Sequence, residues 1–218
     1  EMKKTLSESL GMLILMILPM SFIVMAQSRP IVYILFQRGA FKEEATIQTA
    51  LLLTFYSIGL LAFGMRDFVC KAYYTLKDTK TPMINSAIAM VVNIVLIFIF
   101  KNAIGLRGLA LANATSMYIA CGLLIYTLRK KIGSINGKQV ITTAVKTIAA
   151  SIPMVITIRV LNSALSLSYN SMISVLVKIT VSSLAGILVF IIAAIIIDIE
   201  ELKSIKELVL RKFIKKSK

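Results

Sequence analysis

The residues of this sequence that could do chemistry are few and scattered. There is no histidine, which removes the commonest general base and a common metal ligand. Only ten Asp and Glu are present, and outside the charged stretches catalysis would have to rest on Asp67, Asp78 or Asp198. Each has a modest explanation. Asp67 precedes Lys71 by four residues, the spacing of an ion pair along one helix. Asp78 sits in a turn, where aspartate is ordinary. Asp198 marks the inner end of the last apolar run. Cys70 and Cys121 lie in apolar surroundings without CxxC spacing, so they read as small buried hydrophobes rather than a zinc site or a disulfide. No nucleophile and base can be paired, and the sequence does not describe an enzyme.

What remains are polar residues inside long apolar runs: Arg66, Asn85, Asn93, Asn113, Lys146, Arg159 and Lys178. Such residues are costly in lipid and face a bundle interior, an aqueous cavity or a partner. Lys146, Arg159 and Lys178 fall near run ends, where snorkelling to the headgroups accounts for them. Asn93 and Asn113 lie near mid-run and serve either helix–helix hydrogen bonding or the lining of a cavity or cation site. Arg66 has Ala62, Phe63, Val69 and Cys70 at three and four residues either side, so its own helix offers no carboxylate. It either snorkels or holds an anion, and guanidinium suits bidentate contact with phosphate oxygens.

The elements that position these residues are apolar helices. The chain has 218 residues, 58% of them hydrophobic, with a mean hydropathy of +0.87. A soluble domain is about 45–50% apolar. The excess is gathered into six runs, each close to the ~20 residues that cross a bilayer core. The expected fold is therefore an all-α integral membrane protein of about six transmembrane helices. The first run, Leu10 to about Phe36, should kink at Pro19 and break near Ser28–Pro30, leaving Ile31–Phe36 as a short segment. Gln37–Phe41 reads as a turn, followed by Ala45 to about Leu76. A basic loop from Lys77 to Pro82 leads into Met83–Phe100, with proline at an early helical position. Lys101–Gly108 reads as a glycine-containing turn. Leu109–Leu128 is rich in small residues that suit close packing in lipid. Val140–Leu161 should be broken by Pro153, and Met172–Ile197 is the last run.

Twenty-five Lys and Arg against ten acids give a net charge of +15. The basic residues sit between and after the runs, with no aromatic-rich basic patch, which argues for membrane topology rather than nucleic acid. Lys3 and Lys4, Lys77 and Lys80, Arg129 to Lys138 and the tail share one side. The other side has Arg38 and Lys42, then Lys101 and Arg107, then no base. The positive-inside rule places both ends in the cytoplasm. Ile199–Lys218 alternates apolar and basic positions. It reads as an amphipathic helix on anionic inner-leaflet lipids, or else as a solvated basic tail. No cleavable signal peptide is visible, and an opening Glu1 suggests a piece of a longer protein.

Three strings carry a resemblance: Leu35-Phe36-Gln37-Arg38-Gly39-Ala40-Phe41, then Tyr73-Tyr74-Thr75-Leu76-Lys77-Asp78-Thr79-Lys80-Thr81-Pro82, then Gly105-Leu106-Arg107-Gly108-Leu109-Ala110-Leu111-Ala112. In order and placement they resemble the C-terminal part of the MurJ/MviN lipid II flippases of the MOP exporter superfamily, with Arg38, Gly39, Phe41, Asp78, Thr79, Pro82 and Gly108 as the motif positions. The resemblance implies a bacterial inner-membrane protein of peptidoglycan synthesis. It would move an undecaprenyl-pyrophosphate-linked precursor between leaflets by alternating access, without a cofactor beyond a possible coupling cation. It further implies that residues 1–131 belong to a second transmembrane lobe of four helices here, and 132–198 to two additional helices, with 199–218 a cytoplasmic tail. The last two runs would flank a groove for the lipid's long tail, around Gly186 and Ala149. The family's sodium site uses three helices. One is absent here, Asn93 and Asn113 are the nearest matches on the other two, and Ile97 stands where one version has an acid. A related exporter of polysaccharide units or drugs, and a non-transporting scaffold of the cell-wall machinery, are the alternative readings.

Overall fold

The computed structural model describes residues 2–133, 137–165, 172–199 and 201–202, with side chains from residue 5. Seven helices account for nearly all of it: α1 (Met2–Ala26), α2 (Ser28–Phe36), α3 (Glu43–Thr75), α4 (Lys80–Ile104), α5 (Leu106–Ile132), α6 (Gly137–Ala164) and α7 (Met172–Ile196). All but the nine-residue α2 are long and apolar enough to cross a membrane. The protein is an all-α, multi-pass membrane protein.

The helices pack in a row. α4 lies on α5, α5 on α3, α3 on α1, α1 on α6 and α6 on α7, while α2 bridges α3 and α7. α1 is therefore shared between two apolar cores. One gathers Leu6, Leu10, Val69, Tyr73, Leu124 and Leu128 from α1, α3 and α5. The other gathers Leu15, Ala150, Met154, Ile158, Phe190 and Ala194 from α1, α6 and α7.

Several sequence expectations are refined here. The break in the first run falls at Gln27, one residue before Ser28–Pro30, and Pro30 sits in the first turn of α2 where its missing donor costs little. Helix α1 continues through Pro19. Helix α6 likewise continues through Pro153 rather than breaking there. A proline removes one backbone donor, and in a packed membrane bundle the rest of the helix is held by its neighbours. The turn expected over Lys101–Gly108 shrinks to Gly105, whose φ of 63° lets α5 reverse directly onto α4. Gly108 then permits the close approach: a Cβ there would lie 2.2 Å from the Phe100 carbonyl oxygen. The amphipathic reading of the tail falls mostly on residues 203–218, outside those described.

At the end of α3 the chain forms a Schellman turn. Lys77, with φ 57°, donates its amide to Tyr74 O, and Asp78 donates to Tyr73 O at 3.0 Å. Asp78 then starts α4, its carboxylate accepting from the Thr81 amide at 3.0 Å and the Thr81 hydroxyl at 2.6 Å.

Candidate functional site

Helices α3 and α4 diverge from that joint because α5 packs against both. The divergence leaves a cavity of about 480 Å3 between them. Arg66, Asp67, Cys70, Lys71 and Tyr74 line it from α3, Thr79 from the joint, and Pro82, Met83 and Ser86 from α4. Spacing explains the α3 set: 66, 67, 70, 71 and 74 recur at three- and four-residue intervals on one helical stripe. Asp67 and Lys71 pair with each other at 2.8 Å, as their spacing suggests. Arg66 instead reaches across the gap, its guanidinium donating to the Ser86 hydroxyl at 2.7 Å. That hydroxyl in turn donates to Pro82 O at 2.8 Å. Arg66 Nε is buried with no partner. A half-buried guanidinium beside hydroxyls, with a donor unmet, is a phosphate-type anion receptor in outline.

The rim of this cavity is braced by the Asp78 joint. Lys131, from the last turn of α5, forms an ion pair with Asp78. Hydrogen bonds from Lys131 and then Thr81 hold the Asp78 carboxyl below the usual carboxylate range. Tyr73 adds a second tie to α5, its hydroxyl donating to Leu124 O at 3.1 Å and lying 2.6 Å from Thr127 Oγ1.

The structure thus brings together Arg66, Thr79 and Pro82, with Asp78 just behind them. The other motif positions lie elsewhere. Gly39, with φ 57°, makes the α2–α3 turn, where the rings of Phe36 and Phe41 pack 6.0 Å apart. Arg38 is exposed at that turn, near Met172 Sδ at 3.7 Å. Arg66 lies 23 residues along α3 from Glu43, about 35 Å away by helix rise. Gly108 serves the α4–α5 contact. Asn93 is half-buried on α4, with Oδ1 lacking a partner. Asn113 lines a separate gap of about 130 Å3 with Tyr56, Gly59 and Phe63. Asn85 is buried with its Oδ1 unpartnered.

Two polar sites were not anticipated. Gln27, fully buried at the α1–α2 break, donates to the Ser182 hydroxyl at 2.6 Å and accepts from Asn162 Nδ2 at 2.9 Å. Near the opposite end of α1, Glu201 is 4% exposed and accepts from Thr143 Oγ1 at 2.6 Å. It fills the space where a Cβ on Gly11 would stand, 2.5 Å from its Oε1. No local pattern marks either residue, because the partners are far away in sequence. The available signal was a glutamine and a serine pair interrupting two apolar runs, with an asparagine just past the end of a third.

The three run-end cations also divide. Lys146 donates to Asp198 O at 2.8 Å, serving the end of α7 instead of the headgroups. Lys178 is buried, which corrects the snorkelling expectation. Ser182 and Gly186 follow it on the same face of α7 and draw that face inward. Arg159 is exposed, as snorkelling requires. The groove expected at Gly186 is absent: its Cβ would lie 2.7 Å from Ile158 Cγ1, so this face of α7 is packed on α6. Ala149 is exposed on α6.

Known proteins share this architecture. The family model described as lipid II flippase MurJ matches residues 1–198. A Vibrio cholerae serotype O1 protein named "Probable lipid II flippase MurJ" is 40% identical over 101 residues, 46% of this chain and 19% of that protein. A Thermotoga maritima protein of the same name is 39% identical over 114 residues, 52% of this chain and 24% of that one. A solved structure, "Lipid II flippase MurJ, inward closed conformation", superposes with a TM-score of 0.69 at 26% identity, covering 88% of this chain and 38% of the other. The matched region thus spans about a fifth to a quarter of these two relatives' length.

Proposed function

The chain belongs to the lipid II flippase MurJ family, and from that membership we propose that it forms the C-terminal part of a lipid II flippase working by alternating access. The family is one of flippases, not of catalytic enzymes. In this reading residues 1–131 contribute to a transmembrane lobe and residues 132–198 add two helices outside it. The protein sits in the bacterial inner membrane with both ends of the chain cytoplasmic. The charge asymmetry of the loops supports that orientation. A cysteine placed at Lys138 should react with an impermeant reagent only from the cytoplasm, and one at Leu165 only from outside; the reverse pattern removes the orientation.

Arg66 is the residue we assign to the substrate's pyrophosphate. The observation that carries this is its buried, unmet Nε in a hydroxyl-lined cavity between α3 and α4. Thr79 and Tyr74 bring hydroxyls there, and Lys71, paired with Asp67, a second cation. Asn93 and Asn113 are the candidate positions for a coupling cation, and the free Asn93 Oδ1 is an acceptor of the right kind. Full-length Arg66→Gln should fail to restore growth to cells depleted of their flippase, and Arg66→Lys should restore it weakly. Full restoration by Arg66→Gln at normal expression rejects the assignment, since a snorkelling arginine tolerates both changes.

A further inference from the structure

Away from the Arg66 cavity, α1 and α6 leave a groove of about 220 Å3. Phe22, Met25 and Ala26 form one wall, and Ile152, Val155 and Ile156 the other. Ser151 closes one end, but it is buried and its hydroxyl is committed to Thr147 O at 2.7 Å, so the floor donates nothing. Arg159 stands at the other end and is the one charged residue of the lining.

The dimensions set the kind of occupant. Ser151 and Arg159 are eight residues apart, about 12 Å along the helix. Helix α6 has 28 residues, which places Ser151 at its middle and Arg159 a turn and a half from its end. The groove therefore runs from mid-membrane toward one face, apolar throughout and cationic at its mouth. Ile152 and Ile156 are 56% and 57% exposed, so it opens sideways toward lipid. Arg159 is exposed and has no ion pair or hydrogen bond among the described residues.

We propose that this groove is a binding site for one anionic glycerophospholipid, an acyl chain lying between α1 and α6 with the phosphate on Arg159. Charge complementarity favours this occupant over protein. A helix laid over the groove would desolvate Arg159 and require a carboxylate opposite it, whereas a lipid brings chain and phosphate at the required spacing. The guanidinium fork fits phosphate oxygens in two places at once. The site is separate from the substrate reading above, because α6 packs on α1 and α7 while Arg66 faces α4.

The test uses full-length protein in mild detergent, stripped of lipid and incubated with phosphatidylglycerol or phosphatidylcholine of identical chains. Native mass spectrometry counts the lipid retained, so the result does not depend on transport. Wild type should retain phosphatidylglycerol about tenfold better, because the choline cation of phosphatidylcholine offsets the phosphate charge that Arg159 meets. Arg159→Gln should abolish that preference, lowering phosphatidylglycerol retention most and phosphatidylcholine retention less, because both lipids carry the phosphate and only the choline cation sets them apart. Ala26→Leu, which fills the groove, should reduce both lipids at an unchanged melting temperature. Equal retention of the two lipids by wild type, or an undiminished preference in Arg159→Gln, overturns the proposal. Either is what a nonspecific lipid annulus, or an upstream helix covering the groove, would give.

Discussion

Helices α5 and α7 both bury a stripe of small residues, but they bury it in different company. On α5 the stripe is Gly108, Ala110, Ala112, Ala114, Ser116 and Ala120, pressed against the backbones of α3 and α4. On α7 it is Ser182, Gly186 and Ala194, interleaved with Val175, Lys178 and Phe190 and pressed against α6. The α5 side joins helices mainly by backbone proximity, with Arg66–Ser86, Tyr73–Leu124 and Lys131–Asp78 as cross-ties around an open cavity. The α7 side turns its polar groups on one another: Gln27 binds Asn162 and Ser182 at one end of α1, and Glu201 binds Thr143 near the other. In a bilayer, where apolar surface gains nothing by leaving lipid, close contact and interhelical hydrogen bonds are the two main means of association. This chain leans most on close contact at α5 and on buried hydrogen bonds at α7. The open cavity belongs to the side whose polar ties lie across the gap and at its rim.

The comparison breaks first at glycine. A Cβ at Gly108 would stand 2.2 Å from Phe100 O, a backbone atom that cannot swing away. Gly108→Ala should be the most damaging single change, at about 3 kcal/mol, the upper end for overpacking. Gly59→Ala should cost less, because the nearest atom, Ala114 Cα, is 3.1 Å away and a few tenths of an ångström relieve it. Thermal unfolding in detergent would rank them. A Gly108→Ala protein as stable as wild type would mean that α4 and α5 do not meet as described.

The α7 side breaks at Gln27. Gln27→Leu removes the donor to Ser182 and strands the Asn162 amide, whose own Oδ1 is already without a partner. A buried polar group left unsatisfied costs about 1–3 kcal/mol. Gln27→Glu is the sharper variant, because it keeps an acceptor for Asn162 while losing the donor to Ser182. Stability between those of Leu and wild type is expected from it.

These two sides were not equally legible. The six spans could be read because apolar runs of about 20 residues separated by basic loops have one explanation in a membrane. The Asp67–Lys71 pair and the α3–α4 joint could be read because their partners lie within a few residues. The cavity itself could not. Ser86 is an unremarkable serine in α4 until α3 places Arg66 beside it. Gln27 and Glu201 had no local signature, since their partners are 135 and 58 or more residues away. The groove that the resemblance implied at Gly186 is instead a packed face, because Ile158 and Met154 of α6 occupy the space, and only the opposing helix could show that.

The joint between α3 and α4 gives a smaller effect with a pH signature. Asp78 has its carboxyl held below the ordinary range by Lys131 and Thr81, so the ionised form favours the folded state. The stabilisation is fully present above the usual aspartate value near 4 and is lost as pH falls through the depressed folded value. The difference in melting temperature between wild type and Asp78→Asn should therefore be flat from pH 8 to about 5 and shrink below about 4. A difference that changes between pH 6 and 8 would assign the effect to another group.

The smallest expected effect is the most discriminating about how far along α5 the close packing extends. Gly122 lies on the same helix as Gly108, yet a Cβ built on it meets nothing within 4 Å. Its φ is outside the left-handed region, so alanine brings no backbone strain. Replacing glycine by alanine in a helix interior narrows the unfolded ensemble and raises helix propensity, worth about 0.4–1 kcal/mol where the site is compatible. Gly122→Ala should thus be neutral to slightly stabilising in this C-terminal segment, the opposite sign from Gly108→Ala fourteen residues earlier. The full-length protein adds a further reading. If stability rises but complementation falls, the open face at Gly122 is where α5 meets another part of the transporter as it cycles. If both are unchanged or improved, that face looks onto lipid. A clear loss of stability in the isolated segment would show that the close packing of α5 extends to Gly122, and the division between a packed and an open stretch of the helix would have to be given up.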